Sequence, residues 1–214
     1  MNYKYYFFDL DGTLTDPGIG ITNAVMHALS YYGITVEQRS ELYPFIGPPL
    51  KDSFMKYYDF DEVKAMDAIV HYREYFSTKG LFENEMYEEI PGVLESIKSR
   101  GKKLVLATSK PDEFSVRILK HFDLYKYFDF IAAATMDEKR TRKAEVIEYA
   151  IESLEITDKR EVLMIGDRAQ DILGAKANGI DSAGVLYGYG DREELETAGA
   201  DYIAKMPTDI LNFL

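Results

Sequence analysis

Two acidic pairs in the sequence have the spacing of a site that binds a divalent cation. Asp9 and Asp11 stand two residues apart at the end of an apolar run, and Asp167 and Asp171 follow a second apolar run. Carboxylates held close together are costly to ionise unless a cation or hydrogen-bond donors compensate them. Because oxygen ligands alone favour hard cations, convergence of the two pairs predicts a Mg²⁺ site.

Each acidic pair, taken alone, also has an ordinary structural explanation. Asp and Gly are common turn residues, so residues 9–12 could be only the turn after a strand. Asp171 falls near a predicted helix start, where a carboxylate stabilises the positive end of the helix dipole. Asp167 has no comparable structural role. The metal-site prediction therefore depends on both pairs meeting at the ends of neighbouring strands.

Further residues could hold the oxygens of a bound phosphate. Gly12 lets backbone amides approach an anion closely. Thr108 and Ser109 follow another apolar run, although for them alone a capping role at a strand-to-helix turn is favoured. The basic stretch 139–143 precedes a helix predicted to begin near Ala144, and most of it fits a solvated loop. Lys143 is singled out because a cation opposing a helix dipole needs compensation, which a bound phosphate supplies.

Apolar runs that predict buried strands end close to these residues. The five apolar runs are residues 5–10, 104–107, 130–133, 162–165 and 183–186. Apolar residues at helical spacing separate the later runs. Alternating buried strands and helices predict a parallel α/β sheet covered on both faces. The carboxyl ends of such strands form the edge where ligands bind.

One stretch of the sequence breaks this alternation. Residues 16–88 show only helical periodicity, interrupted at Pro44, at 47–49 and at Gly80. This pattern predicts a helical domain inserted after the first strand. Residues 1–15 and 89–214 are then the α/β core, and residues 16–88 are the insertion.

Composition limits the partners of the chain. Its 214 residues carry a formal net charge of -12, which argues against nucleic acid, since a phosphate backbone is bound by clustered Lys and Arg. The sequence has no cysteine, which excludes disulfides and thiolate chemistry. No apolar run approaches the ~20 residues that span a bilayer. We expect a cytoplasmic protein without a membrane partner, either a monomer or a weak homodimer.

The order of these motifs resembles the haloacid dehalogenase-like hydrolase superfamily. The matching residues are Asp9, Asp11, Thr13, Thr108, Lys143, Gly166, Asp167 and Asp171. The resemblance implies a Rossmann-like parallel sheet core with an inserted α-helical cap domain, and a small phosphorylated metabolite as substrate. It also implies a phosphatase rather than a dehalogenase, because dehalogenases of the superfamily lack an acid at the Asp11 position.

The resemblance also implies roles for these residues. Asp9 is the nucleophile, and Asp11 protonates the leaving group and then activates water. Mg²⁺ is held by Asp9, by the backbone carbonyl of Asp11 and by Asp167, with Asp171 acting directly, through water or by supporting another ligand. The transferring phosphoryl group is bound by Thr108 and Lys143, and Gly12 and Ser109 lie beside them.

Two further segments, 45–50 and 188–190, resemble phosphoglycolate phosphatases and their 5′-nucleotidase-like relatives. Ser109 and the residues after Lys143 depart from the phosphoglycolate phosphatase pattern and favour the nucleotidase-like relatives. A pyrophosphatase is a close variant of this prediction. A phosphomutase of the β-phosphoglucomutase kind ranks lower, because 47–49 stands where those enzymes carry Arg. A binding protein with a silent site ranks lower still, since converging carboxylates without function cost stability.

Overall fold

The computed structural model describes residues 3–137 and 139–214. The chain forms two compact units. Unit 1 comprises Met1–Asp16 and Met86–Leu214, and unit 2 comprises Pro17–Glu85. Among the described residues, no helix has both the length and the apolar character needed to cross a membrane.

Unit 1 is built on a six-stranded sheet in which every neighbouring pair is parallel. The strands of the chain are β1 (Tyr5–Phe8), β2 (Thr15–Asp16), β3 (Glu85–Met86), β4 (Lys103–Pro111), β5 (Phe130–Ala134), β6 (Val162–Gly166), β7 (Asp181–Val185) and β8 (Tyr202–Ala204). The sheet order is β5-β4-β1-β6-β7-β8. Strands β4 and β5 therefore lie on one side of β1, and β6, β7 and β8 lie on the other side. Such a reversal of strand order opens a crevice at the carboxyl ends of the strands, where ligands bind in α/β folds.

Helices cover the sheet of unit 1 and form most of unit 2. They are α1 (Gly18–Ser30), α2 (Leu50–Tyr58), α3 (Glu62–Tyr75), α4 (Ile90–Ser99), α5 (Asp112–His121), α6 (Lys143–Ser153), α7 (Ala169–Asn178) and α8 (Arg192–Ala198). In unit 1, α6 and α7 bury Val146, Ile147 and Ala175 against Phe7 and Met164 of the central strands. Burial of this apolar layer stabilises the core of unit 1 by about 25 cal/mol per Å² of apolar surface.

In unit 2, α3 packs against both α1 and α2. Leu29 of α1, Phe54 of α2 and Ile69 of α3 are buried. Not every apolar residue of α3 is buried, since Met66 and Val70 are 36% and 56% exposed.

The predicted parallel α/β core is confirmed, with differences at the ends of its elements. The first strand ends at Phe8 rather than Leu10, because the Leu10 carbonyl accepts the N–H of Leu14 (2.8 Å) and turns the chain. Strand β4 runs on to Pro111, so Thr108 and Ser109 lie within it and not in a turn after it. Helix α6 begins at Lys143 itself.

Candidate active site

The segment after β1 is held against β6 and Asp167. The Asp9 N–H donates to the Ile165 carbonyl (2.9 Å) and extends the ladder between the two strands by one residue. Gly12 has a φ of 76°, and a Cβ at this position would overlap the Asp167 carboxylate. The Gly12 N–H donates to the Thr15 carbonyl (2.7 Å). The glycine thus permits close packing against Asp167, and its part in phosphate binding stays a prediction.

Three carboxylates from separate parts of the chain meet at the ends of β1 and β6. Asp9, Asp167 and Asp171 each offer an oxygen, and these oxygens all lie within 4.8 Å of one another. All three side chains are buried. Asp9 and Asp167 follow neighbouring parallel strands, and Asp171 lies in the first turn of α7, where its Oδ2 accepts the Arg168 N–H (3.0 Å). The fold thus brings together residues more than 150 positions apart.

The electrostatics of this cluster call for a cation. Burial raises the pKa of Asp167 well above its ordinary value, and the charges of Asp171 and Asp9 raise it further. Burial also raises the pKa of Asp171, to about 6, although Lys143 opposes the shift. Asp167 Oδ1 is buried and has no hydrogen-bond partner among the described residues. An all-carboxylate donor set with an unsatisfied buried oxygen fits a hard divalent cation such as Mg²⁺.

Lys143 lies against the candidate nucleophile. Its Nζ is 2.7 Å from Asp9 Oδ1 and 2.8 Å from Asp171 Oδ1, and it donates to the Ala107 carbonyl (2.9 Å). Burial alone would lower the pKa of Lys143, but the charges of Asp171 and Asp9 outweigh it and leave this pKa above its ordinary value. A permanent positive charge is thereby held beside Asp9 in a buried setting.

A second buried lysine, Lys110, pairs with Asp11 and was not predicted as a site residue. Its Nζ lies 2.5 Å from Asp11 Oδ2, and both side chains are at least 90% buried. Burial raises the pKa of Asp11, an effect that Lys110 opposes without reversing. Asp11 Oδ1 has no hydrogen-bond partner among the described residues. Because β4 extends to Pro111, Lys110 shares a face of the strand with Thr108, two residues earlier.

Comparison with known proteins places this geometry in a family. The family model described as haloacid dehalogenase-like hydrolase matches residues 6–185. The chain belongs to the haloacid dehalogenase-like hydrolase family. A 5′-nucleotidase of Pseudomonas aeruginosa is 45% identical over 195 residues, which cover 91% of this chain and 88% of the relative. The predicted family membership is confirmed.

Two further similarities extend over the full chain. A pyrophosphatase, PpaX, of Halalkalibacterium halodurans is 30% identical over 217 residues, covering 100% of this chain and 98% of its own. The crystal structure of a predicted phosphatase from Clostridium acetobutylicum is 49% identical, with a TM-score of 0.97, and the match covers 100% of this chain and 98% of that one. Together with the family match, these relatives identify the chain as a phosphatase.

The remaining predicted residues of this phosphatase surround the same edge of the sheet. Thr108 is buried and its Oγ1 accepts the Lys110 N–H (3.2 Å), while Ser109 is half-buried beside it. In the basic stretch, Arg140 is bound to the protein, since its Nε and Nη2 donate to the Ala133 carbonyl (3.1 and 3.0 Å). The Arg140 guanidinium also lies 3.8 Å from the centre of the Tyr149 ring. Arg140 thus connects the loop before α6 to β5 by hydrogen bonds, and it packs on an aromatic ring of α6.

Proposed function

We propose that this phosphatase hydrolyses small phosphomonoesters with Mg²⁺ and forms a phosphoaspartyl intermediate on Asp9. The observation that carries the proposal is the convergence of Asp9, Asp167 and Asp171 within 4.8 Å, with Lys143 paired to Asp9. A nucleophile, a candidate cation site and a phosphate-binding cation then share one edge of the sheet. We further infer that the helical segment 16–88 serves as a cap that excludes water from the reaction.

The residues that would hold Mg²⁺ are the carboxylates of Asp9, Asp167 and Asp171 and the backbone carbonyl of Asp11. The buried, unpartnered Oδ1 of Asp167 supports this assignment. The ion, when bound, supplies positive charge against the phosphoryl oxygens on which negative charge builds in the transition state. We propose the backbone carbonyl of Asp11 and not its side chain, because the side chain pairs with Lys110.

In the first step, a carboxylate oxygen of Asp9 attacks the phosphorus and a new P–O bond forms. The P–O bond to the substrate alcohol breaks, and the alcohol oxygen takes the proton of the Asp11 carboxyl group. Burial raises the pKa of Asp11, which favours the protonated acid that this step requires. Thr108 and Lys143 bind the phosphoryl oxygens during the transfer.

In the second step, water attacks the phosphorus of the phosphoaspartyl group. Asp11, now ionised, takes a proton from this water, and the bond between phosphorus and Asp9 breaks. Inorganic phosphate leaves, and Asp9 and Asp11 return to their starting states. Atoms, charges and protons therefore balance over the cycle without another reactant.

Nucleoside 5′-monophosphates are the substrate class we favour, because the relative named a 5′-nucleotidase is 45% identical to this chain. Pyrophosphate is a second candidate, supported by the relative named a pyrophosphatase at 30% identity. Segments 45–50 and 188–190 also resemble phosphoglycolate phosphatases, so 2-phosphoglycolate belongs in the same test. We propose that the enzyme acts on these metabolites in the cytoplasm, as a monomer or a weak homodimer.

Phosphate release from a panel of substrates, with Mg²⁺ and with EDTA, tests this proposal. The panel comprises nucleoside 5′-monophosphates, 2-phosphoglycolate, glucose 1-phosphate and pyrophosphate. We expect Mg²⁺-dependent release that is fastest with the nucleotides. Asp9→Asn should lower kcat by about 10³-fold or more, because it removes the nucleophile. Asp59→Asn is the control, since Asp59 is exposed and its φ of 54° suits Asn.

Three outcomes would contradict the proposal. Asp9→Asn turning over at the rate of the wild type would exclude the phosphoaspartyl mechanism. Equal rates in Mg²⁺ and EDTA would exclude the metal dependence. Conversion of glucose 1-phosphate to the 6-phosphate isomer, without phosphate release, would indicate a mutase instead.

A further inference from the structure

We propose that the loop of residues 187–190, which follows β7, makes Asp167 a one-oxygen ligand and thereby favours Mg²⁺ over Ca²⁺. This inference rests on the proposed function, because it takes Asp167 as a ligand of the cation. The loop contributes no charged side chain to the site. Its effect is exerted through one backbone N–H group and through the close approach of its glycines.

The two oxygens of Asp167 have different surroundings. Oδ2 accepts the N–H of Tyr189 at 2.7 Å. Oδ1 is buried and lacks a hydrogen-bond partner among residues 3–137 and 139–214. The side chain is fully buried, so water does not compete for either oxygen. Hydrogen bonds to an ionised carboxylate are strong, and Oδ2 is therefore committed to Tyr189.

Glycines on both sides of Tyr189 allow this approach. A Cβ at Gly188 would overlap the Gly12 carbonyl and the Asp167 side chain, and a Cβ at Gly190 would overlap the Asp167 carbonyl. The loop backbone is thus in direct contact with Asp167 on two sides. Any other residue at these positions would push the Tyr189 N–H away from the carboxylate.

Two tyrosines fix the loop to the segment that follows β1. The Tyr187 hydroxyl donates to the Thr13 carbonyl (3.0 Å), and its ring meets the edge of Tyr87 with 4.9 Å between centroids. The Tyr189 hydroxyl donates to Asp16 Oδ1. The loop is therefore anchored at both of its tyrosines, and the direction of the Tyr189 N–H is set by packing.

The consequence for metal choice follows from coordination chemistry. Mg²⁺ takes six ligands in a strict octahedron and binds carboxylates through single oxygens, whereas Ca²⁺ takes 6–8 and often binds both oxygens of one carboxylate. Asp167 Oδ2 accepts the Tyr189 N–H and is closely packed by Gly12 and Gly188, which leaves Oδ1 as the oxygen for the cation. The loop would therefore penalise the two-oxygen mode that suits Ca²⁺ while leaving the one-oxygen mode for Mg²⁺ intact.

The sharpest test replaces the Tyr189 N–H by an oxygen and leaves every side chain in place. Replacing Tyr189 by its α-hydroxy acid, p-hydroxyphenyllactic acid, turns the amide into an ester and keeps the side chain. The control is the same replacement at Tyr125, which is exposed at the start of a short 3₁₀ helix, Tyr125–Tyr127. Calorimetric titration with MgCl₂ and with CaCl₂ gives the two Kd values, and melting in EDTA checks the fold.

We expect the ester at Tyr189 to raise the Kd for Mg²⁺ by about 10-fold or more, the usual effect of losing a partner of a metal ligand. The Kd for Ca²⁺ should rise less or fall, so the ratio of the Ca²⁺ Kd to the Mg²⁺ Kd decreases. Gly190→Ala should act in the same direction. Gly92→Ala, where a Cβ meets nothing within 4 Å, should leave both constants unchanged.

Other results would overturn the inference. An ester at Tyr189 that leaves both Kd values unchanged, or that weakens both cations equally, excludes a role in metal choice. A separate result concerns the proposed function itself. If the wild type binds no Mg²⁺, or if Asp167→Asn binds it as tightly as the wild type, the metal assignment fails first and the inference fails with it.

Discussion

Two buried lysines give the aspartates of the site different chemistry. Lys143 lies between Asp9 and Asp171, where its charge offsets two neighbouring carboxylates. Lys110 instead pairs with Asp11, whose Oδ2 lies 2.5 Å from its Nζ. A carboxyl group held in this way, with its pKa raised by burial, is suited to give a proton to a leaving group and to take one from water.

At the level of this single contact, Lys110→Met should lower kcat. Positioned acid–base groups contribute about 10²–10⁴-fold to rate, and Asp11 loses its orienting partner in this variant, so we expect a loss of about 10-fold or more. KM should change little, because Lys110 pairs with the acid and not with the phosphoryl group. Steady-state kinetics with the best substrate of the panel measures both constants.

Lys103→Met is the matched control for this prediction. Lys103 lies on the same strand, but its Nζ pairs with Asp129 (3.0 Å) and its side chain is 53% exposed. Exposed ion pairs contribute about 0–1 kcal/mol, so activity should be retained. A Lys110→Met enzyme as fast as this control would show that Asp11 needs no partner.

At the level of elements, helix α8 supports the helix that carries Asp171. The Glu194 carboxylate of α8 accepts the N–H of Ala169 (2.7 Å) and Nε of Arg168 (2.9 Å) at the start of α7. The first amides of a helix have no partner within the helix, so a carboxylate from elsewhere satisfies one of them and favours the helix dipole. The position of Asp171 therefore depends on a residue outside the acidic motifs.

Glu194→Ala should destabilise unit 1 measurably. The substitution leaves the Ala169 N–H and the largely buried Arg168 without this carboxylate, for an expected loss of about 1–3 kcal/mol in the free energy of unfolding. Glu196→Ala on the same helix removes only an exposed pair with Arg192 (2.6 Å) and should stay within about 0.5 kcal/mol. Urea unfolding followed by circular dichroism in EDTA compares them, and equal midpoints would exclude the capping role.

The sequence predicts the elements that carry residue-type signals and misses those that do not. Strands β1 and β6 are apolar runs that end in acidic residues, so the cluster of Asp9 and Asp167 could be predicted. The extension of β4 to Pro111 could not be predicted, because the last residues of the strand are polar. Lys110 was not predicted as a site residue for the same reason. The Tyr189 N–H was beyond prediction because every residue except proline has one, and only the fold shows where it points.

At the scale of the whole molecule, the acidic cluster couples stability to pH and to metal. The pKa of Asp171, about 6, and that of Asp167 are both raised in the folded protein. A group whose pKa is raised by folding stabilises the folded state fully when the pH lies below its pKa in the unfolded state. This contribution is lost as the pH rises through its pKa in the folded state. Without metal, these two groups therefore make the fold less stable at about pH 8 than at about pH 5.

Magnesium should reverse this loss, and more strongly at the higher pH. Because the ligands must be deprotonated, the cation competes with protons at about pH 5 and meets free carboxylates at about pH 8. At 100 times its Kd, a ligand stabilises the fold by about 2.7 kcal/mol, which corresponds to a rise in Tm of about 5–10 °C for a chain of this size. We expect that rise at about pH 8 and a smaller one at about pH 5.

Asp167→Asn should raise the Tm in EDTA at the higher pH and abolish most of the Mg²⁺ effect. Equal Mg²⁺ shifts at both pH values would contradict a cation site built from these buried carboxylates.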